Sequence, residues 1–232
     1  MRTRYQFLIT FLLFAISSTL FSHDLPGEGF AGVWAHVGNM RKLNTDPVLT
    51  DEAQAWIKKL EEYREQGDYT GDNSALCIPP ALPTMITIGA QEILVDEKKL
   101  TWIMESISGI RWIWLDGRSL PNPEEERPTA FGYSVGHWEG NTLVVETIGF
   151  MDSAMIYVNR PNNESVYPGP EMHVVERMHL EEDGNVIISE RTVTDPKNFK
   201  EPWVTTVRYE RRPDWELAES ICAENNQTDE YE

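Results

Sequence analysis

Glu176 and Arg191 stand at equal distances on either side of the dipeptide Asp183-Gly184, and so do Arg177 and Glu190. A two-residue hairpin turn at Asp183-Gly184 makes these two directly opposed cross-strand pairs, each of opposite charge. A one-residue slip would spoil both pairs. In this register Met172, Val174, Glu176, Met178 and Leu180 share a face with Ile187, Ser189, Arg191 and Val193. That is the more apolar face, so it should point inward, leaving His173, Arg177, His179 and Glu190 to meet water. Glu176 and Arg191 become a candidate interior ion pair, which is costly to form and costly to break from one side. The structural alternative is a pair at the rim of the sheet.

A second turn at Glu139-Gly140 sets Tyr133 opposite Glu146 and His137 opposite Thr142. Phe131, Tyr133, Val135, His137, Val144, Glu146 and Ile148 then share one face. Gly132, Ser134, Gly136, Trp138, Leu143 and Val145 share the other. Both faces are partly apolar, so either can be the inner one. If the first is inside, Tyr133, His137 and Glu146 converge with Glu176 and Arg191 on one cavity. A carboxylate with a phenol or imidazole in apolar surroundings can do general acid–base work without a cofactor. The alternative for each residue is a satisfied polar group in a strand.

Other chemistries lack their patterns. His173 and His179 lie on one face of one strand but about 20 Å apart, too far to share an ion. His36 and His137 are isolated, with no HxH or HExxH spacing, so no metal site is expected. Ser134 in GYSVG resembles a nucleophile elbow loosely, but a strand rather than a helix follows it. The same context excludes a dinucleotide loop. No cofactor is expected.

The elements that carry these residues are mostly strands. Phe30 to Val37 reads as the first. Ala53, Trp56, Ile57, Leu60 and Tyr63 then recur at helical spacing over 50–66, with Thr50 to cap the start and Gly67 to end it. Residues 68–84 are loop. Strands follow at about 91–97, 100–107, 110–116, 130–138, 141–148, 172–181, 185–195, 202–211 and 215–221, most of them joined by tight turns, one at Ser108-Gly109. A run of short strands with one helix predicts a mainly β fold, an antiparallel meander barrel of the lipocalin-like kind, since closure removes the exposed edges. In the hairpin around Ser108-Gly109, Ile103, Trp112 and Trp114 share one face; Leu100, Trp102, Met104, Ile113 and Leu115 share the other. Apolar on both faces, it needs cover on both. The Trp56/Ile57/Leu60 stripe of the helix is expected to pack on its outside.

The eight tryptophans of the chain leave room for an aromatic-lined cavity inside the barrel. The candidate ligand contacts are Trp112, Trp114, Phe150, Tyr157 and Tyr209. Residues 149–171 form a long segment with three Pro, two Gly and three Asn that still carries Phe150, Met155, Ile156 and Tyr157. Segments of that length in a compact domain are usually functional or disordered, and a lid over the open end of the barrel is expected.

Arg2 and Arg4 precede an apolar run from Phe7 to Phe21, the pattern of a signal peptide over residues 1–22. The run is too short to span a bilayer and is interrupted by Ser17 and Ser18. Export to the periplasm or cell exterior is expected, with no stable membrane anchor after cleavage. Residues 23–232 then make one domain with an acidic C-terminal tail. Without residues 1–22, 18 basic residues face 38 acidic ones, a net charge of −20. Such a surface repels nucleic acid and anionic membranes. Cys77 and Cys222 are the two cysteines of the chain, and in an oxidising compartment they should pair.

FGYSVGHWEGNTLVVETIGF (131–150), HVVERMHL (173–180), TVTDPKNFKEPW (192–203), RPDWELAESICAENNQ (212–227) and LCIPPALPTM (76–85) resemble a large family of uncharacterised bacterial exported proteins. The shared strings are G-x-W-E-G-D-T-L-V-V, T-x-x-D-P-x-x-F-x-x-P-W and C-x-E-N-N, and they cover nearly the whole chain after residue 22. The resemblance implies both cysteines as a pair but no particular activity. The family pattern also carries Pro-His-Ser before the strand that starts here at Met172. Tyr167-Pro168-Gly169-Pro170 occupies that place, and Met151 stands where Asn is usual.

Two functional classes follow. One is an exported barrel that binds a small apolar or aromatic molecule in its interior. The other is a cofactor-independent isomerase, lyase or cyclase using the same cavity. An interior Glu146 or Glu176 without a cationic partner would favour the second.

Overall fold

Alternation of buried and exposed residues along nine strands rolls the chain into a closed barrel. The structure, a computed structural model, describes residues 25–38, 43–68, 77–84, 89–158 and 164–222. The expected signal peptide, most of the C-x-E-N-N string and the acidic tail lie outside them. The wall strands are β1 (Gly32–His36), β2 (Ala90–Val95), β3 (Lys99–Met104), β4 (Gly109–Trp114), β5 (Tyr133–Glu139) and β6 (Thr142–Ile148). After a short two-stranded ladder of β7 (Ile156–Tyr157) and β8 (Ser165–Val166), the wall resumes with β9 (His173–Glu181), β10 (Val186–Thr194) and β11 (Trp203–Arg211). β11 closes on β1, with Ala35 opposite Glu210.

The strands follow one another in sequence order, as a meander does. All pairs are antiparallel except one: β4 and β5 run parallel, joined through Ile113↔Ser134 and Trp114↔Val135. A parallel pair needs a return crossover, and residues 115–132 supply it. The barrel is therefore mixed rather than purely antiparallel.

Turn chemistry sets the registers. Glu176 faces Arg191 and Arg177 faces Glu190, as the charge pattern predicts, but the loop between β9 and β10 has four residues, Glu182 to Asn185. Between β5 and β6 the turn is Gly140-Asn141, so Tyr133 faces Ile148 and His137 faces Val144, not Glu146 and Thr142. The loop after β3 is Glu105 to Ser108, with Met104 opposite Gly109. These two shifts are even-numbered, so partners change while faces do not.

α1 (Asp51–Glu65) starts where Thr50 Oγ1 accepts a hydrogen bond from the Ala53 amide. Its buried face is Ala53, Ile57 and Leu60. It does not cover the β3–β4 hairpin. Leu49 bridges Phe199, the Lys200 amide donates to the Val48 carbonyl, and Trp56 stacks at 5.4 Å on Tyr167. These tethers hold α1 against β8 and the β10–β11 turn. Residues 215–221 form no strand: the Ala218 amide donates to Glu105 and Ser108 Oγ to the Ser220 carbonyl. The Cys77–Cys222 disulfide, with Cα atoms 5.7 Å apart, clamps this segment beside the β3–β4 loop.

Both ends of the barrel are plugged. At the near end, where β1 begins, the turn Glu28–Phe30 lies across Trp138 and Leu180. It can lie flat because Gly27 and Gly29 lack side chains: a Cβ would fall 2.4 Å from the Trp138 ring and 2.8 Å from Leu180. At the far end residues 81–84 reach in, and the Ala81 amide donates to the Met155 carbonyl. Residues 149–158 and 164–171 cap that end with side chains in the core, Phe150, Ala154, Met155, Ile156, Val158 and Val166.

Candidate functional site

Most wall strands contribute a buried polar residue to the interior. β9 points Glu176 inward, between Val174 and Met178. β10 adds Ser189 and Arg191, β11 adds Tyr209, and β4 adds Arg111; all are at most 1 % exposed. Ser134 on β5, Thr147 on β6, Gln91 on β2 and Thr205 on β11 are buried polar residues too.

Glu176 sits between two guanidiniums. Arg111 Nη2 donates to Glu176 Oε2 and, at 2.9 Å, to Thr147 Oγ1, while its Nε donates to Ser134 Oγ at 3.1 Å. Arg191 Nε lies 3.2 Å from Glu176 Oε1 but donates its hydrogen bond to Ser189 Oγ. Arg191 Nη2 donates to the Tyr209 hydroxyl at 2.6 Å, and Nη1 to the Pro83 carbonyl at 2.5 Å. The far-end plug thus touches the cluster directly. Within this cluster two buried side-chain atoms have no protein hydrogen-bond partner: Arg111 Nη1 and Glu176 Oε1.

The electrostatics follow from this geometry. Burial pushes the Glu176 carboxyl up, but Arg111 and Arg191 more than reverse it, and the net shift is downward. Glu176 is ionised. Burial pushes the Tyr209 phenol up to about 12 against the pull of Arg191, so Tyr209 is neutral. His36, with its ring 6.1 Å from Tyr209, is lowered by burial and then by the Arg191 charge. The walls around the cluster are apolar: Trp34, Trp102, Leu143, Val145 and Ile187 are all fully buried.

The other sequence-derived candidates lie elsewhere. The inner face of β5 and β6 is Ser134, Gly136, Trp138, Leu143, Val145 and Thr147. Tyr133, His137 and Glu146 are on the outer face. Tyr133 donates to the Arg127 carbonyl at 2.7 Å, His137 is 3.4 Å from Glu139, and Glu146 pairs with His173 at 3.2 Å. They do not converge with Glu176. Ser134 and Thr147 are inside because they bind Arg111, which outweighs the apolar character of Val135 and Ile148.

Among the aromatic candidates, only Tyr209 touches the cluster. Trp112 points outward at 52 % exposure. Trp114 is also outside, covered by Arg118 at 3.6 Å and Lys99 at 5.5 Å. The inward places on β4 belong to Arg111 and Ile113. Phe150 and Tyr157 belong to the far-end cap, with Phe150 in the core. Trp102, whose Nε1 donates to Gln91 Oε1 at 2.7 Å and whose ring meets Tyr209 edge-on at 5.6 Å, is the inner aromatic wall.

Among the described residues, clefts open on two sides of the barrel. One of about 490 Å³ opens at the near end between Phe30, Trp138, Leu180 and the Gly140-Asn141 turn. Phe30 and Trp138 meet edge-on there at 5.6 Å. The other, about 550 Å³, lies between the β3–β4 loop and residues 217–222. Neither is lined by a member of the charged cluster. No group of three or more His, Cys, Asp or Glu able to hold a metal ion occurs among the described residues. No protein-family model and no curated protein matches the chain.

Proposed function

We propose that the protein is an exported binding barrel that takes a small apolar or aromatic molecule into its interior. The observation that carries this reading is the fully buried Arg111–Glu176–Arg191 cluster inside an apolar wall. A barrel that only had to fold would be at least as stable with apolar residues of similar volume there, because three desolvated charges cost several kcal/mol each, roughly, before their attraction repays it. Polar groups placed sparingly in an apolar interior are the pattern of a ligand site. A cleft lined by Phe30, Trp138 and Leu180 adds a further apolar surface at the near end of the same barrel. The Cys77–Cys222 disulfide is compatible with an oxidising compartment and so with export.

The acid–base alternative has less support. Tyr133, His137 and Glu146 stand outside the barrel, and a carboxylate clamped by two guanidiniums is a poor general base.

The test is titration with N-phenyl-1-naphthylamine, a neutral aromatic dye that fluoresces in apolar surroundings. The reading predicts saturable binding of one dye per chain, with energy transfer from the buried Trp34 and Trp102. Emission that rises linearly without saturation, or not at all, contradicts it.

A further inference from the structure

Among the described residues, the charges of the interior cluster do not balance. Arg111 and Arg191 bring two positive charges and Glu176 one negative. The Tyr209 phenol is neutral, since burial holds its pKa at about 12. Ser134, Thr147, Ser189 and Gln91 carry no charge. A guanidinium does not shed its proton in a protein, so the excess cannot be relieved by titration. One positive charge is left over at a site with at most 1 % exposure.

The unbalanced charge has an address. Arg191 spends all three of its nitrogens, on Ser189, Pro83 and Tyr209. Arg111 spends Nε and Nη2, and its Nη1 is buried with no protein partner. A donor left unsatisfied in the interior is destabilising, and more so when it is charged. The group that would satisfy it is an acceptor with a negative charge, in a barrel interior whose Leu143, Val145, Ile113 and Met178 are all fully buried.

We infer that the ligand of the barrel is an organic monoanion, a carboxylate on an apolar or aromatic body, with the carboxylate received by Arg111 Nη1. This rests on the interior being the ligand site, and it adds the charge of the ligand and the residue that reads it. A carboxylate oxygen on Nη1 makes a charge-assisted hydrogen bond and brings the interior to neutrality. A neutral ligand of the same shape would leave the excess charge in place.

The experiment compares cinnamate with cinnamamide, which share one body and differ in charge, by calorimetric titration of the full protein and of Arg111→Met. The expected result is that the parent protein binds cinnamate at least about tenfold more tightly than cinnamamide, the size of one charge-assisted hydrogen bond. The preference should fall to about one in Arg111→Met. The ratio in the parent protein decides the matter even if the variant does not fold. Equal binding of acid and amide overturns the inference and leaves the apolar-ligand reading standing. If neither binds while N-phenyl-1-naphthylamine does, the inference again fails alone; if the dye does not bind either, both fail. Loss of cinnamate binding when sodium chloride replaces sodium sulfate at equal ionic strength shows that chloride fills the place, and overturns the assignment to an organic acid.

Discussion

Glu176 is the residue on which the interior depends. Glu176→Ala leaves two guanidiniums facing each other without a counter-charge, and should cost on the order of 3–5 kcal/mol, read as a lower urea midpoint. An unchanged midpoint would mean that the cluster contributes nothing to folding. Replacing only Glu176 and Arg191 by apolar residues should not restore stability, because Arg111 stays charged and buried. The triple change Arg111→Met, Glu176→Leu and Arg191→Met should restore much of it. Acid acts in the same direction. The folded carboxyl of Glu176 has a pKa below its ordinary 4.5, so its contribution is complete above that value and is lost as pH falls through the lowered one. His36 acts at milder pH. Its folded pKa is below 6.5, so the unfolded chain takes up the proton first, and stability declines as pH drops from above 6.5 toward the lowered value. His36→Gln should flatten that decline in urea titrations between pH 7 and 5; an equal decline would place its origin elsewhere. Glu176 and Arg191 were legible in the sequence because two opposite-charge pairs demanded one register. Arg111 was not. It stands between Ile110 and Trp112 in a hairpin apolar on both faces, where a lone arginine reads as a surface residue. Ser134 and Thr147 were missed for the same reason, since short hydroxyls carry no sign of the guanidinium they serve.

At the scale of elements, strand positions followed from alternation, while the way elements pack did not. α1 has the cap, the stripe and the length that its sequence predicts, yet it packs at the far end of the barrel instead of on the β3–β4 hairpin. Amphipathicity says which face is buried and nothing about what covers it. The outer face of β4 is accordingly bare, with Ile110 and Trp112 exposed. Residues 215–221 alternate like a strand, but the closed barrel has no edge to receive one, and hydrogen bonds to the β3–β4 loop take its place. The far-end cap and the disulfide make one prediction each. Its amides at Ala81 and Val158 are hydrogen-bonded to Met155 and Glu164, so they should exchange slowly, with the barrel; fast exchange there would mark the segment as the mobile lid that its length suggests. The disulfide closes a span of 145 residues, for which the chain-entropy model gives about 5 kcal/mol. Replacing Cys77 and Cys222 by Ser should lower stability by up to that amount, and a loss of less than about 1 kcal/mol would show the unfolded chain to be constrained already.

At the scale of the molecule, two fields of opposite sign are nested. The chain carries a net charge of −18, while the Arg111–Glu176–Arg191 cluster, among the described residues, holds an excess of one positive charge. An anionic ligand is repelled at a distance and attracted once inside, so salt should speed its association by screening the surface within a Debye length of about 10 Å at 0.1 M. A neutral ligand should show no such dependence. Composition made the outer field legible; the inner one required knowing which arginines turn inward. The most direct measurement is calorimetric titration of cinnamate into the variant carrying Arg111→Met, Glu176→Leu and Arg191→Met. The expected result is a folded barrel that no longer binds the acid, because the charges serve recognition rather than folding. Cinnamate bound by that variant as tightly as by the parent protein would contradict it.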